Sequence, residues 1–262
     1  MLIQPQLQAR LRQAGQIWLL LDYDGTLAEF APTPDDIFPD DELIELIRAS
    51  ARLPRTRVGV ISGRRLAHIE KLLPIDDIWS AGSYGLEMRL PGGENLHRIP
   101  YAHVRPELER LKPVWAALVD PGQGFYLEDK GWSLAIHARF VDDRLAEETL
   151  RQARHLAEAQ LDPQLFALLG GHKFLEAAPH AADKGQSITY LLERFGSANT
   201  FPIYLGDDDK DERAYPVVQA YGGIAGCICG PERPTAADFR LASPLATRAW
   251  LRALIGIIQG CA

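Results

Sequence analysis

The chain has 262 residues, 47% of them hydrophobic, and a formal net charge of −7 from 28 Lys and Arg against 35 Asp and Glu. That length and apolar content support a full core, in one large domain or two smaller ones. The acidic balance, with no basic run, argues against nucleic acid or an anionic membrane surface as partner.

The N-terminus, with polar Gln4, Gln6, Gln8, Arg10 and Arg12, is no signal peptide, and no apolar stretch is long enough to span a bilayer. Cys227, Cys229 and Cys261 offer no zinc spacing and no disulfide framework, so they read as buried or incidental thiols of a reducing compartment. A soluble cytoplasmic protein is expected.

The first element is a strand over residues 17–22, built on the apolar run Ile17-Trp18-Leu19-Leu20-Leu21. Pro39-Asp40 begins a helix whose Leu43, Ile44, Ile47 and Ala51 share one face. Arg57 to Ile61 is a second buried strand, ending in Ser62-Gly63-Arg64-Arg65, and a helical stretch from Leu66 to Leu73 follows. Ile78 to Ala81 reads as a third strand, and Leu86 to Leu90 leads into a Pro-Gly-Gly turn. Strands alternating with helices predict a parallel sheet with crossover connections.

The pattern changes after about Pro100. Residues 105–119 read as an amphipathic helix on Leu108, Leu111, Val114, Trp115 and Leu118. Phe125 to Phe140 alternates apolar and polar residues, as a two-faced antiparallel ribbon does. Leu145 to Ala159 is a charged helix, and Leu165 to Ala177 a pair of short strands. Residues 102–180 are thus expected to form a small α+β insert. The parallel pattern resumes with a helix at 184–195 and strands Phe201–Leu205 and Gly223–Cys229.

The chemistry concentrates at strand ends, where open α/β sheets place their ligands. Asp22-Tyr23-Asp24-Gly25-Thr26-Leu27 puts two carboxylates two positions apart, a Gly that frees the backbone to turn, and a hydroxyl. Phosphoryl transfer through a carboxylate wants this set. Asp22 attacks phosphorus, and Asp24 gives a proton to the leaving oxygen and later takes one from water. A divalent cation is needed for a carboxylate to approach a phosphate dianion. A calcium loop also begins Asp-x-Asp, but its fifth, sixth and twelfth places here hold Thr26, Leu27 and Thr33, which excludes it.

Three further groups accompany this motif. Ser62-Gly63-Arg64 can present a hydroxyl and N–H groups to a phosphate oxygen, and by itself reads equally as an ordinary Ser-Gly turn. Lys184, after Asp183 and before Gly185, can balance the nucleophile and the phosphate, or be a solvated residue behind an Asp N-cap. Gly206-Asp207-Asp208-Asp209-Lys210-Asp211-Glu212 places five acids within six residues after a buried strand, a hard-cation site or a solvated acidic loop. Their order along one apparent sheet favours the catalytic reading of all four, which together supply nucleophile, proton shuttle, phosphate ligand, countercharge and metal site.

This set resembles the haloacid dehalogenase (HAD) superfamily of phosphohydrolases, and within it the trehalose-6-phosphate phosphatase family, over nearly the whole chain. Glu128-Asp129-Lys130-Gly131 with Ser133, His137 and Arg139 is similar to one segment of that family's cap, and Lys173 with Glu176-Ala177-Ala178-Pro179 to a second. The chain departs from the family pattern at three places: Lys210 stands for the usual Thr, Ser83-Tyr84-Gly85 for Asn-His-Gly, and Ala178 for a basic residue.

The resemblance implies an α/β fold: a Rossmann-like HAD core with a parallel sheet over 1–101 and 181–262, and a mobile α+β cap of the C2B type over 102–180. It implies Asp22, Asp24 and Lys184 as catalytic residues. It implies Mg²⁺ on Asp22, Asp24 (through its backbone carbonyl) and Asp207, with Asp208 and Asp211 near, and Gly25, Thr26, Ser62, Gly63 and Lys184 around the phosphate. Arg64, Glu128, Lys130, His137, Arg139, Lys173 and Glu176 are its candidates for substrate binding. The partner implied is a small sugar phosphate, with trehalose and phosphate as products. A phosphatase for another glycosyl phosphate, such as a glucosylglycerol or glycosyl-phosphoglycerate ester, and a non-catalytic sugar-phosphate sensor remain as alternatives. The sequence leaves the oligomeric state open.

Overall fold

The computed structural model describes residues 3–30 and 37–260; Thr33 and Cys261 lie outside the described residues. In chain order the elements are α1 (Pro5–Gln13), β1 (Gln16–Leu21), α2 (Asp41–Ala51), β2 (Thr56–Ile61), α3 (Leu66–Leu72), β3 (Trp79–Gly82), β4 (Glu87–Arg89) and β5 (Asn95–His97). Then come α4 (Tyr101–Ala116), β6 (Tyr126–Asp129), β7 (Leu134–His137), α5 (Asp143–Gln160), β8 (Phe166–Gly171) and β9 (Phe174–Pro179). The chain finishes with α6 (Lys184–Phe195), β10 (Thr200–Gly206), α7 (Tyr215–Ala220), β11 (Ile224–Ile228), β12 (Phe239–Leu241) and α8 (Pro244–Gln259).

The chain divides into two compact units, one formed by residues up to Leu96 together with those from Asp183 onward, the other by His97–Ala182. The first holds an eight-stranded sheet in the order β12-β11-β10-β1-β2-β3-β4-β5. Strands β12 through β3 in that order run parallel, and β4 turns back antiparallel to β3. β1 reads as one continuous apolar run because it is buried on both faces. Ile17, Leu19 and Leu21 face a core shared with α2, α3 and α8, while Trp18 and Leu20 face one shared with α6 and α7. α2 starts where Asp40 accepts from the Leu43 N–H, an N-cap satisfying one orphan donor. α8, which strand-and-turn patterning does not single out, buries Trp250, Leu251, Leu254 and Ile258 in the same core as Leu43 and Ile47.

The second unit is a four-stranded antiparallel sheet, β6-β7-β9-β8, with α4 and α5. Trp115 on α4 donates its indole N–H to the Ala153 carbonyl on α5 at 2.9 Å, so a fully buried ring keeps its polar atom paired. β7 ends at His137, so Arg139 and Phe140 stand exposed beyond it rather than continuing the ribbon. The two ends of the unit are tied together: the Arg98 guanidinium donates to the Ala181 carbonyl at 2.9 Å.

One expectation is corrected. Cys227 and Cys229 are joined by a disulfide rather than being separate thiols. Alternate positions on an extended backbone put both side chains on one side, and the Cα atoms lie 5.5 Å apart, within bridging range. No helix among the described residues is long and apolar enough to cross a membrane.

Candidate active site

The sheet changes direction of growth at β1. The chain passes from β1 to β2 and β3 on one side, then returns to β10, β11 and β12 on the other. Crevices at such switch points, beyond the carboxyl ends of the strands, are where open α/β sheets bind ligands. The register aligns Leu21 with Leu205 and with Val60, so the residues following all three strands emerge together. Asp22 anchors its N–H on the Leu205 carbonyl at 2.9 Å, and Ser62 anchors its own on Ala81 at 2.9 Å. Gly25 has φ +74°, and a Cβ there would run into the Asp207 carboxylate, so glycine lets the first loop fold against the acidic one.

Lys184, the first residue of α6, lies between two acids: its Nζ is 2.7 Å from Asp22 Oδ1 and 2.6 Å from Asp211 Oδ1. All three are buried. Burial pulls the ammonium down, but Asp211 and Asp22 outweigh it and hold Lys184 well above its ordinary range. Burial pushes the Asp22 carboxyl well above the usual carboxylate range; Lys184 opposes this, and Asp211, Asp207 and Asp208 reinforce it. Burial together with Asp211 pushes Asp207 up to about 7. Asp208 is desolvated too, yet Lys184 and Lys210 hold it below its ordinary value.

Asp211 is the hub of the acidic loop. One of its oxygens accepts from Lys184 and from the Tyr204 hydroxyl, the other from the N–H groups of Asp207 and Asp208 at 2.9 Å each. Asp208 closes the loop by accepting from the Lys210 N–H at 2.8 Å and the Asp211 N–H at 3.2 Å. Tyr204 is a residue the sequence reading missed. Its signal is a polar group inside an apolar strand, two positions before Gly206-Asp207.

The Asp22, Asp207 and Asp211 carboxylates each offer an oxygen within 4.8 Å of the others. With Asp211 committed to four donors, Asp22 and Asp207 are the carboxylates left to a cation. A largely buried cluster of hard oxygen donors, all three pushed upward by burial first and by neighbouring carboxylate charge second, fits a hard divalent ion. Thr26 Oγ1 lies 3.3 Å from both Asp22 Oδ2 and Asp207 Oδ1.

Asp24 and Arg64 form a two-point ion pair, Nε and one terminal nitrogen at 2.7 and 2.8 Å from the two carboxylate oxygens. Arg64, expected among the substrate ligands, is thus placed on the expected proton shuttle. Its N–H meets Ser62 Oγ at 3.1 Å. Beside this turn runs an unusual backbone: Ser83, Tyr84 and Gly85 have φ of 51°, 58° and 88°. Two consecutive non-glycine residues in that region cost ~1–2 kcal/mol each. They are held there by Ser83 N–H to the Arg64 carbonyl (2.7 Å) and Tyr84 N–H to the Ser62 carbonyl (2.8 Å). A Cβ on Gly63 would come 2.7 Å from the Tyr84 ring, so the ring rests directly on the turn.

In the second unit the register puts Glu128, Ala135 and Glu176 in one row across β6, β7 and β9. Glu176, fully buried, accepts from Lys130 at 2.9 Å and Ser133 at 2.7 Å, and His137 Nε2 lies 2.9 Å from Glu128 Oε2. Burial raises Glu128, but His137 and Lys130 outweigh it and hold the carboxyl low. Glu128, Lys130, His137 and Glu176 therefore form one connected polar cluster. Arg139 stays outside it, exposed beyond β7. Lys173 is held at the β8–β9 turn by Asp143 and the Val141 carbonyl, both at 2.6 Å.

The architecture is that of a HAD hydrolase: a haloacid dehalogenase-like hydrolase from Bacteroides thetaiotaomicron matches at TM-score 0.62, with 17% identity, over 91% of this chain and 99% of that one. The C-terminal domain of C. albicans trehalose-6-phosphate phosphatase matches at TM-score 0.83, with 21% identity, over 96% of each. The family model described as Trehalose-phosphatase matches residues 20–244, which includes every candidate site residue named above. A probable trehalose-phosphate phosphatase 3 of Oryza sativa subsp. japonica is 31% identical over 95% of this chain and 72% of its own length. The chain belongs to the trehalose-phosphatase family, and with it to the phosphoric monoester hydrolases of the HAD superfamily.

Proposed function

We propose that the chain is a cytoplasmic, Mg²⁺-dependent enzyme that hydrolyses trehalose 6-phosphate to trehalose and phosphate through an aspartyl phosphate. The observation that carries the mechanism is Asp22: a buried carboxylate at the switch point, one oxygen held 2.7 Å from Lys184, with Asp207 beside it.

In this reading an Asp22 oxygen bonds to phosphorus as the bond to the sugar oxygen breaks, and Asp24 gives that oxygen a proton. Asp24 then takes a proton from water, whose oxygen attacks phosphorus and releases phosphate from Asp22. Arg64 holds both Asp24 oxygens in place, and each oxygen keeps a second lone pair with which to exchange a proton. Lys184 and the Ser62–Gly63 turn hold the non-reacting phosphoryl oxygens. Asp22, Asp207 and the Asp24 backbone carbonyl would hold Mg²⁺, which would supply the charge that lets a carboxylate meet a phosphate dianion. Glu128, Lys130 and His137 bind sugar hydroxyls, and the fully buried Glu176 serves them by holding Lys130 and Ser133 in place.

A phosphate-release assay over a panel of sugar phosphates tests this. Trehalose 6-phosphate should give the highest kcat/KM. A better glucosylglycerol or glycosyl-phosphoglycerate ester would overturn the substrate assignment and leave the reaction class intact; no turnover of any ester would favour a sensor.

A further inference from the structure

Tyr84 touches three of the four motifs that build the site. Its N–H donates to the Ser62 carbonyl at 2.8 Å and its ring covers Gly63, which places it on the phosphate turn. Its carbonyl accepts from Ser187 Oγ at 2.6 Å, one turn along α6 from Lys184. Its hydroxyl accepts from Lys210 Nζ, and that ammonium also lies 4.5 Å from the ring centroid. Lys210 sits in the acidic loop, where its own N–H is bonded to Asp208. The left-handed backbone at Ser83 and Tyr84 is strain kept at a functional site. Positions 84 and 210 are also two of the three places where the chain departs from the pattern of the family it resembles, and they meet in space across 126 residues of sequence.

We propose that Tyr84 and Lys210 act together as a positioning clamp that ties the metal-holding acidic loop to the phosphate turn and to the Lys184 helix. The acidic loop is closed on itself through Asp208 and Asp211, and Arg233 holds Asp209 at 2.8 Å on its outer side. Lys184 and Thr26 already bridge that closed loop to Asp22, and the clamp adds a second, outer tie that holds the loop against the phosphate turn. Donors held in place before the ion arrives bind it more tightly, because less ordering remains to be done on binding. The inference rests on the metal reading given above but not on trehalose 6-phosphate being the substrate.

The sign of the effect separates a clamp from simple electrostatics. Lys210→Met removes a positive charge from beside a cation site. By Coulomb's law alone, it should tighten metal binding. A clamp predicts the reverse, and Tyr84→Phe, which leaves the charge in place, should act in the same direction. The test measures Mn²⁺ affinity by electron paramagnetic resonance, as a probe for Mg²⁺, on the full chain. The proteins compared are wild type, Tyr84→Phe, Lys210→Met, the double variant and Lys210→Arg. Thermal melts and turnover of a small aryl phosphate at saturating Mg²⁺ accompany it.

The expected result is a roughly three- to tenfold weaker Kd in each single variant, no further loss in the double, and partial rescue by Lys210→Arg. Turnover at saturating metal should stay within about twofold, since neither side chain touches the reacting atoms. Unchanged or tighter binding in Lys210→Met, or losses that multiply in the double variant, would overturn the clamp while the metal reading stands. A wild type without Mn²⁺ affinity would overturn both.

Discussion

Arg64 grips both carboxylate oxygens of Asp24, at 2.7 and 2.8 Å, inside the loop pair that surrounds Asp22. A two-point Arg–carboxylate pair fixes orientation as well as charge. It therefore aims Asp24, the proton shuttle proposed above. Arg64→Met should lower kcat/KM for a sugar phosphate, whose leaving oxygen needs a proton, by tenfold or more. A nitrophenyl phosphate, whose leaving group needs none, should lose far less. Steady-state rates for the two substrates give the answer; equal losses would mean that Arg64 binds the phosphate rather than orienting Asp24.

Asp22→Asn tests the nucleophile. The amide is isosteric, so circular dichroism should report an intact fold while turnover falls by several orders of magnitude. Substantial residual phosphate release from the folded variant would sink the aspartyl-phosphate mechanism.

Metal dependence should carry a pH signature. Asp207 is pushed up to about 7, above the 3.8 of an unperturbed Asp, and Asp22 moves the same way. The folded, metal-free protein thus binds more protons than the unfolded chain between about pH 4 and 7, and it loses stability as pH rises through that window. A cation on these carboxylates displaces the protons and removes the repulsion. Added Mg²⁺ should raise Tm more at about pH 8 than at about pH 5, and excess chelator should abolish turnover at both. Asp207→Ala should remove the Mg²⁺-dependent rise and increase the Mg²⁺ needed for activity. A Tm indifferent to Mg²⁺ across the range would contradict the assignment.

The inserted unit should read the sugar and ignore the phosphorus. Lys130→Ala takes the ammonium from the fully buried Glu176, which keeps its bond from Ser133, and Glu128→Ala leaves His137 without its carboxylate. Each lost polar contact to a desolvated sugar is worth ~1–3 kcal/mol. Thus kcat/KM for trehalose 6-phosphate should fall roughly tenfold to a hundredfold and that for an aryl phosphate little. Lys173→Ala, removing a side chain already engaged by Asp143 and Val141, should change either substrate much less. Equal factors for both substrates in the first two variants would dismiss the sugar-reading role.

Much of this is legible in the sequence, and the reason is local. A strand buried on both faces announces itself as a run such as Ile17 to Leu21, and the residues after it are then at a strand's carboxyl end by definition. Asp22, Ser62 and Asp207 could all be placed in that way. Pairings between distant loops carry no such signature. Nothing in the periodicity couples Arg64 to Asp24, Lys210 to Tyr84, or Tyr204 to Asp211, because each depends on how neighbouring loops fall once the sheet is assembled. The disulfide was hidden for a related reason: a two-residue spacing has meaning only once the backbone is known to be extended. α8 stands apart from every catalytic motif, and only the recurrence of Trp250, Leu254 and Ile258 on one helical face marks it.

The bond from Arg98 to the Ala181 carbonyl gives the inserted unit a closed neck. A segment that leaves and returns through adjacent points adds little loop-closure constraint to the chain that carries it. It can therefore be lengthened, trimmed or exchanged without shifting the alignment of Leu21, Leu205 and Val60, on which Asp22, Asp207 and Ser62 depend. On the proposed function, the phosphoryl chemistry and the choice of leaving group are in that sense separately heritable. A graft of another insert at His97 and Ala182 should then inherit the proposed nucleophile while bringing its own appetite for substrate.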